Sequence, residues 1–358
     1  MNKAIHLGIW GLGRIGVVHA EHFLRMQGKY EAAAFCDCMQ DRVNAMVRQY
    51  GGKGYTDSTA FLQDPAMDLV IIATRSMDHV RHAAQALQAG KTVLLEKPIA
   101  VTEQDLAALD MLVRQYPDKL FFGQNHRFEP AFARMEEIVR SGLLGKIHTI
   151  RICKTPPFRP RCDWQMLLAH GGGQLSVWGP HVLDQMLQLL QNPVQIQWSN
   201  LKKILTPGDA DDHFQLILQG ADGAIGEIEV SNALALSRPY CQIFGSRGAL
   251  ECDAAHQAIT LRYMDPAFQF GELPISAETP PEDAPWGPGN IPWKQEVRQI
   301  TPAGIGAAVT AVEEKMAEAL YLAVNNIAPF PVTSQQALEV VRLTCRIKKM
   351  NPQFDWLE

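Results

Sequence analysis

The sequence has no two cysteines at the spacing of a metal site. Its seven cysteines (Cys36, Cys38, Cys153, Cys162, Cys241, Cys252 and Cys345) form no C-x-x-C pair, and their number is odd. Neither a structural zinc site nor a disulfide framework is expected to organise such a chain. Reduced thiols in a cytoplasmic protein are expected instead, and no metal. No apolar run approaches the length that spans a bilayer, so no membrane segment is expected. Basic residues form no block and the formal net charge is -5, which argues against nucleic acid as a partner. The opening "MNKAIHLGIW" runs directly into a predicted strand without the architecture of a signal peptide. Low-complexity tracts and solenoid-period repeats are absent as well.

What is present is a long chain with two kinds of periodicity. At 358 residues it exceeds one ordinary core, and two domains are expected. Up to residue 125, short apolar runs alternate with helical patterns: strands over 4–10, 30–37, 67–74, 91–98 and 119–125, with helices near 14–26, 41–50, 78–90 and 102–116 between them. That alternation predicts a parallel, doubly wound α/β sheet, and continuously apolar strands predict burial on both faces. Beyond residue 125 the apolar runs crowd together and several alternate polar with apolar residues, as in "DHFQLILQG". This predicts an open, mainly antiparallel sheet covered on one face by helices near 129–141 and 180–191. Residues 264–302 hold eight prolines and predict a long irregular arm. A helix near 307–325 follows, and the pattern 334–350 predicts a last helix packing back on the first domain. The expected boundaries are 1–124 and 125–333.

The first turn carries "Gly11-Leu12-Gly13-Arg14-Ile15-Gly16". The motif alone is weak, but here it follows a strand, opens a helix, and has Asp37 21 residues after Gly16 at the end of the next strand. Glycines there allow a tight turn, close approach to a pyrophosphate and helix–strand packing, with the helix N-terminus facing the phosphates. Arg14 and Ile15 lie in the same loop. Asp37 would bind the adenosine ribose hydroxyls, and its charge would repel a 2′-phosphate, so NAD is favoured over NADP. Thr74, at a strand's C-terminal edge, and His79, at the following helix start, are further candidates for the cofactor cleft.

With "Glu96-Lys97-Pro98" added to this domain, the chain resembles the Gfo/Idh/MocA oxidoreductases, which include glucose-fructose oxidoreductase and inositol dehydrogenase. "GLGRIG", "FCD", "IIATRSMDH", "LLEKPIAVT", "GQNHRF" and "GGG…GPHVLD" follow in the family's order. The resemblance implies a Rossmann domain followed by an α/β domain with an open sheet. It also implies NAD, a sugar or cyclitol substrate, and a homodimer or homotetramer joined through the open sheet. Lys97 takes the position of the family's lysine beside the nicotinamide and the substrate hydroxyl, where an ammonium can stabilise a developing alkoxide. Glu96 beside it is a further candidate for the cofactor site, or a structural ion-pair partner for Lys97.

His181 matches the family's histidine, with Asp184 a frequent acid after it. Pro180 suits the first helical position, so His181 would lie in a first helical turn, where the dipole disfavours imidazolium. A neutral ring can accept a proton during alcohol oxidation. Asp184, one turn on, could orient that ring, or the two could form a plain helix-start hydrogen bond. Val177 stands where the family usually has an aspartate. Three readings stay open: Lys97 and His181 act alone, another acid such as Asp163 substitutes, or chemistry has been lost in a binding regulator. Arg161, Asp163 and Trp164 in "RPRCDWQ" are candidate sugar-binding residues. Asn125 and Trp178 are candidates for the pocket wall, and Arg127 for a structural or cleft-lining role. The expected activity is NAD-dependent oxidation of a ring carbinol. An NAD-retaining glycosidase-type enzyme and a non-catalytic NAD- or sugar-binding regulator are the alternatives.

Overall fold

A computed structural model describes residues 3–155, 158, 160–191, 193–271, 275–283, 291–301 and 305–355. The first sheet is parallel. It comprises β1 (Ile5–Trp10), β2 (Tyr30–Cys36), β3 (Lys53–Tyr55), β4 (Leu69–Ile72), β5 (Thr92–Glu96) and β6 (Leu120–Gly123) in the order β3-β2-β1-β4-β5-β6. Between them run α1 (Arg14–Leu24), α2 (Gln40–Tyr50), α3 (Ser58–Gln63), α4 (His79–Gln88) and α5 (Glu103–Gln115). The apolar runs explain the burial: every residue of β4, β5 and β6 is buried, as strands covered on both faces require. Helix α5 opens where a threonine cap predicts it, the Thr102 side chain accepting from Asp105 N at 2.8 Å.

The second sheet has eight strands in the order β14-β13-β12-β11-β7-β10-β9-β8. They are β7 (Ile147–Lys154), β8 (Val194–Lys202), β9 (His213–Gly220), β10 (Ile225–Ser231), β11 (Cys241–Gly245), β12 (Gly248–Cys252), β13 (Ala258–Met264) and β14 (Trp293–Gln299). Only β7 and β10 pair parallel; every other pairing is antiparallel. Alternation sets the faces: Phe214, Leu216 and Leu218 of β9 are buried while Gln215, Ile217 and Gln219 are half-buried on the other side. The buried face is covered by α6 (Pro130–Arg140), the short α7 (Gln174–Val177) and α8 (Gly179–Leu190).

Two expectations are corrected. The arm 264–302 is not irregular throughout, because β14 closes the sheet edge within it, Thr260 pairing with Val297; residues 272–274, 284–290 and 302 lie outside the described residues. The helix α9 (Ile305–Val324), which the sequence reading put with the second domain, packs Met316, Ala317, Leu320 and Tyr321 into the first core. The last helix, α10 (Ser334–Met350), serves both cores. Ala337, Leu338, Val341 and Cys345 enter the first, and Val340, Leu343 and Ile347 the second. Residues three and four apart lie on one helix side, so this sequence presents two apolar stripes and wedges between the domains.

Candidate functional site

The glycine turn after β1 has three separate jobs. Gly11 has φ +97, and a Cβ there would meet Ala73 O at 2.5 Å; at Gly16 it would meet Gly11 O at 1.9 Å. Those two glycines close the turn and seat α1 on the sheet. A Cβ on Gly13 would meet nothing within 4 Å, so the backbone there faces open space. Gly13 also caps α1 with no side-chain acceptor and no acid in the first turn. That leaves the helix N-terminus available to an anion, the arrangement a pyrophosphate fits. Asp37 stands beside it, its carboxylate accepting from Leu12 N at 2.7 Å and Met39 N at 2.9 Å, with Arg42 at 3.5 Å. The residues therefore fit a dinucleotide.

The charged pair at the end of β5 divides. Glu96 turns inward: Oε1 bonds His19 Nε2 at 2.9 Å, and Oε2 accepts from Lys97 N at 3.1 Å. The fully buried His19 of α1 reaches Glu313 of α9 through Nδ1 at 2.8 Å, and Asn125 Nδ2 donates to Glu313 at 3.1 Å. Burial alone would lower the His19 pKa, but Glu313 and Glu96 outweigh it and push it up to about 10. This row corrects one candidate and holds another in place. Glu96 turns its carboxylate to His19 and forms no ion pair with Lys97; Asn125 gives its amide N–H to Glu313, while its Oδ1 has no hydrogen-bond partner.

Lys97 turns outward and is half-buried, with Nζ donating to the carbonyl of Val177 at 3.2 Å. That carbonyl is available for a local reason. The residue three positions on is Pro180, which has no N–H, and the N–H of His181 bonds Trp178 O at 3.1 Å instead. Among the described residues Lys97 makes no ion pair. Burial lowers its pKa, Glu96 opposing, with Arg161 and Arg14 adding to the depression. The Lys97–Pro98 peptide bond is cis.

His181 lies in the first turn of α8, where Pro180 was expected to place it, and is 4% exposed. Its ring packs against that of His126, tilted with centroids 4.0 Å apart, and edge-to-face with that of Trp178 at 5.5 Å, and its Nδ1 has no hydrogen-bond partner. Burial holds its pKa well below 6.5, and His126, Lys97 and Lys154 push the same way. The ring is neutral near pH 7. Asp184 does not orient it: both its oxygens are held by Arg127, through Nε at 2.8 Å and a second, shorter bond. Arg127 is thus structural, and Asp184 is closed to a ligand.

The remaining candidates cluster over the glycine turn. Asp163 accepts from Arg161 at 3.1 Å, Arg14 at 3.3 Å and Gln165 N at 3.0 Å. With those partners its carboxylate is held in the 161–165 loop, and the acceptor beside Lys97 Nζ is the neutral Val177 carbonyl. Trp164 packs against Arg75, whose guanidinium lies 5.7 Å from its ring centroid. Arg14 and Arg75 thus tie the 161–165 loop across the first domain's loops. His79 does not face the cofactor cleft, because it is buried with its two ring nitrogens on Pro98 O at 2.8 Å and Thr74 O at 3.1 Å. The Thr74 hydroxyl contacts His82 at 2.9 Å. Ile15 is half-buried at the start of α1. The glycines 171–173 do not bring backbone to a ligand: Cβ atoms at Gly172 and Gly173 would strike Gln165 O at 2.5 Å and Asp211 Oδ1 at 2.0 Å. They let the 161–168 loop and Asp211 press against α7.

Sequence reasoning missed His19, Glu313, Lys154 and Arg75. A histidine on the packing side of α1 and a glutamate in the apolar run of α9 were signals for the first two. All seven cysteines are free thiols, and among the described residues no group of His, Cys, Asp or Glu could hold a metal ion. No described helix is long and apolar enough to cross a membrane.

Comparison with known proteins decides the family. The model of an oxidoreductase family with an NAD-binding Rossmann fold matches residues 5–124, and the GFO/IDH/MocA C-terminal domain model matches 132–251. The chain belongs to the Gfo/Idh/MocA oxidoreductase family. Its first domain is an NAD-binding Rossmann domain. Among similar members, the myo-inositol 2-dehydrogenase of Thermotoga maritima is 28% identical over 256 residues, 70% of this chain and 75% of that protein. The D-glucoside 3-dehydrogenase of Escherichia coli is 28% identical over 199 residues, 54% of this chain and 56% of that protein. The solved levoglucosan dehydrogenase, in complex with NADH and L-sorbose, superposes with a TM-score of 0.80 at 18% identity, covering 99% of this chain and 98% of that one; it shares the fold.

Proposed function

We propose that this family member is an NAD-dependent dehydrogenase of a sugar, sugar derivative or cyclitol, with Lys97 and His181 at the reacting oxygen. The observation that carries the reading is the pairing of the Lys97 ammonium with the Val177 carbonyl, four residues before a neutral His181. Bound nicotinamide supplies the acceptor for the carbinol hydrogen and its two bonding electrons, leaving a ketone. Lys97 donates a hydrogen bond to the carbinol oxygen and stabilises its negative charge as the C–H bond breaks. His181 accepts the hydroxyl proton, which a ring already neutral can do. Asp37 holds the ribose hydroxyls and disfavours a 2′-phosphate. The substrate class rests on relatives named inositol and glucoside dehydrogenases. The aspartate absent at position 177 does not leave Lys97 without an anchor, which favours catalysis over a purely binding role.

A panel of sugars and cyclitols mixed with protein and NAD tests this. NADH absorbance is expected with at least one, and its loss in Lys97→Ala with NAD still bound. No NADH from any member, with NAD bound, would sink it. The NAD-retaining enzyme is the second reading, and NAD surviving gel filtration would support that one. The open sheet face, with Trp198, Val297 and Trp293 exposed, is the surface proposed for a homo-oligomer.

A further inference from the structure

His181 shares its pocket with a second histidine that the reaction does not use. His126, in the turn after β6, lays its ring against that of His181 with centroids 4.0 Å apart, and the Trp178 ring lies 5.3 Å from that of His126. The fold holds the two rings together. Gln185 lies one turn after His181 on α8 and is fully buried. Its Nε2 donates to His126 O at 3.0 Å and to Glu129 Oε2 at 3.2 Å, and its Oε1 accepts from the Tyr240 hydroxyl. The helix that carries His181 is thereby fixed to the turn that carries His126.

The two rings differ in what lies behind them. His126 Nδ1 is 3.3 Å from Glu129 Oε1, and the same oxygen is 3.2 Å from His256 Nδ1. Glu129 is buried at the start of α6, where the helix dipole favours an anion. Burial would raise its carboxyl, but His126 and His256 outweigh burial and hold it well below the usual carboxylate range. A carboxylate so buried keeps its charge only beside a cation. Among the described residues no carboxylate pairs with His181. Asp184 is taken up by Arg127 and Glu96 by His19, and the charges of Lys97 and Lys154 act against protonation of the ring. Two imidazoliums in ring contact repel strongly where little water screens them. A single proton between these rings therefore goes to the one that faces Glu129.

We propose that His126, held by Glu129, is a positioning residue for the proton transfer: it carries a positive charge against the His181 ring and so keeps that ring free to accept the hydroxyl proton. The proposal rests on the dehydrogenase reading above, in which His181 is the acceptor.

Nuclear magnetic resonance of the full chain, labelled at histidine, tests the charge without turnover; His181→Asn and His126→Asn assign the two signals. In wild type at pH 7 the His126 ring is expected to carry two N–H protons and the His181 ring one. A His126 ring with a single N–H would overturn the proposal, and that measurement needs no variant beyond the assignment. His126→Asn is expected to raise the pH at which His181 protonates by about one unit or more, and His126→Lys, which returns a cation beside Glu129, to bring it back down. No rise in His126→Asn, or an equal rise in His126→Lys, would leave His126 a packing residue only and overturn the proposal. In turnover with NAD, His126→Asn is expected to lose about fivefold more rate than wild type between pH 8 and pH 6. The two claims fail separately. No NADH from any sugar or cyclitol, with the His181 titration raised, would overturn the dehydrogenase reading and keep the paired charge. Turnover with an unmoved titration would do the reverse.

Discussion

On the interior side of the β5 terminus, Glu96 meets His19, His19 meets Glu313, and Glu313 meets Asn125, each at 2.8–3.1 Å. On the cleft side, one residue later, Lys97 meets a single backbone carbonyl at 3.2 Å. The first arrangement is closed: two carboxylates flank one imidazolium out of contact with water, and every charge has an opposite beside it. The second is open, with an ammonium whose donors are mostly free for a ligand. Buried charges persist only when paired and hydrogen-bonded, so the inner row is fit to hold the turn in place and the outer lysine is fit to act. A strand end delivers both because successive side chains point to opposite faces.

Substitutions can break that division, and Lys97→Ala is expected to break it most. Turnover should fall by about a thousandfold or more while NAD binding survives; near-wild-type rates by NADH absorbance would remove Lys97 from the chemistry. His19→Leu attacks the other side. Leaving Glu96 and Glu313 buried without their cation should destabilise the protein by about 3–5 kcal/mol in denaturant unfolding, and a variant of unchanged stability would show that the row carries no weight. Asp37→Ala should weaken NAD by about tenfold or more and relax its preference over NADP; an unaltered preference in binding titrations would refute the ribose assignment.

Two pH experiments sharpen the comparison more gently. The His19 pKa is raised from 6.5 to about 10. Its contribution to stability is therefore complete below about pH 6.5 and is lost as pH rises through 10. Wild type should lose stability relative to His19→Leu between those limits, and parallel thermal melts would contradict this. His181 titrates in the opposite sense. Its pKa lies well below 6.5, so the base form persists on acidification, and oxidation rates should show no histidine-like loss between pH 7 and 6.5. A loss there would argue that His181 is not the proton acceptor.

Much of the first domain could be read directly. Continuous apolar strands, the Thr102 cap and the spacing from Gly16 to Asp37 are local features, and local sequence carries them. The placement of His181 in a first helical turn was legible for the same reason, since Pro180 acts on its own neighbourhood. The candidates that failed share another cause. Glu96, His79 and Asp184 are polar residues near a cleft in sequence, yet each faces a partner that approaches through the fold: His19, the Pro98 carbonyl and Arg127.

The sequence alone determined which residue types stand at the cofactor turn and at the end of β5, because backbone freedom, helix capping and strand alternation act over a few residues. Only the tertiary structure decided which of them face the cleft. The partner of Lys97 is 80 residues away and those of His19 are 77 and 294 residues away, and a charge's role depends on what long-range packing sets beside it and how much water that packing leaves.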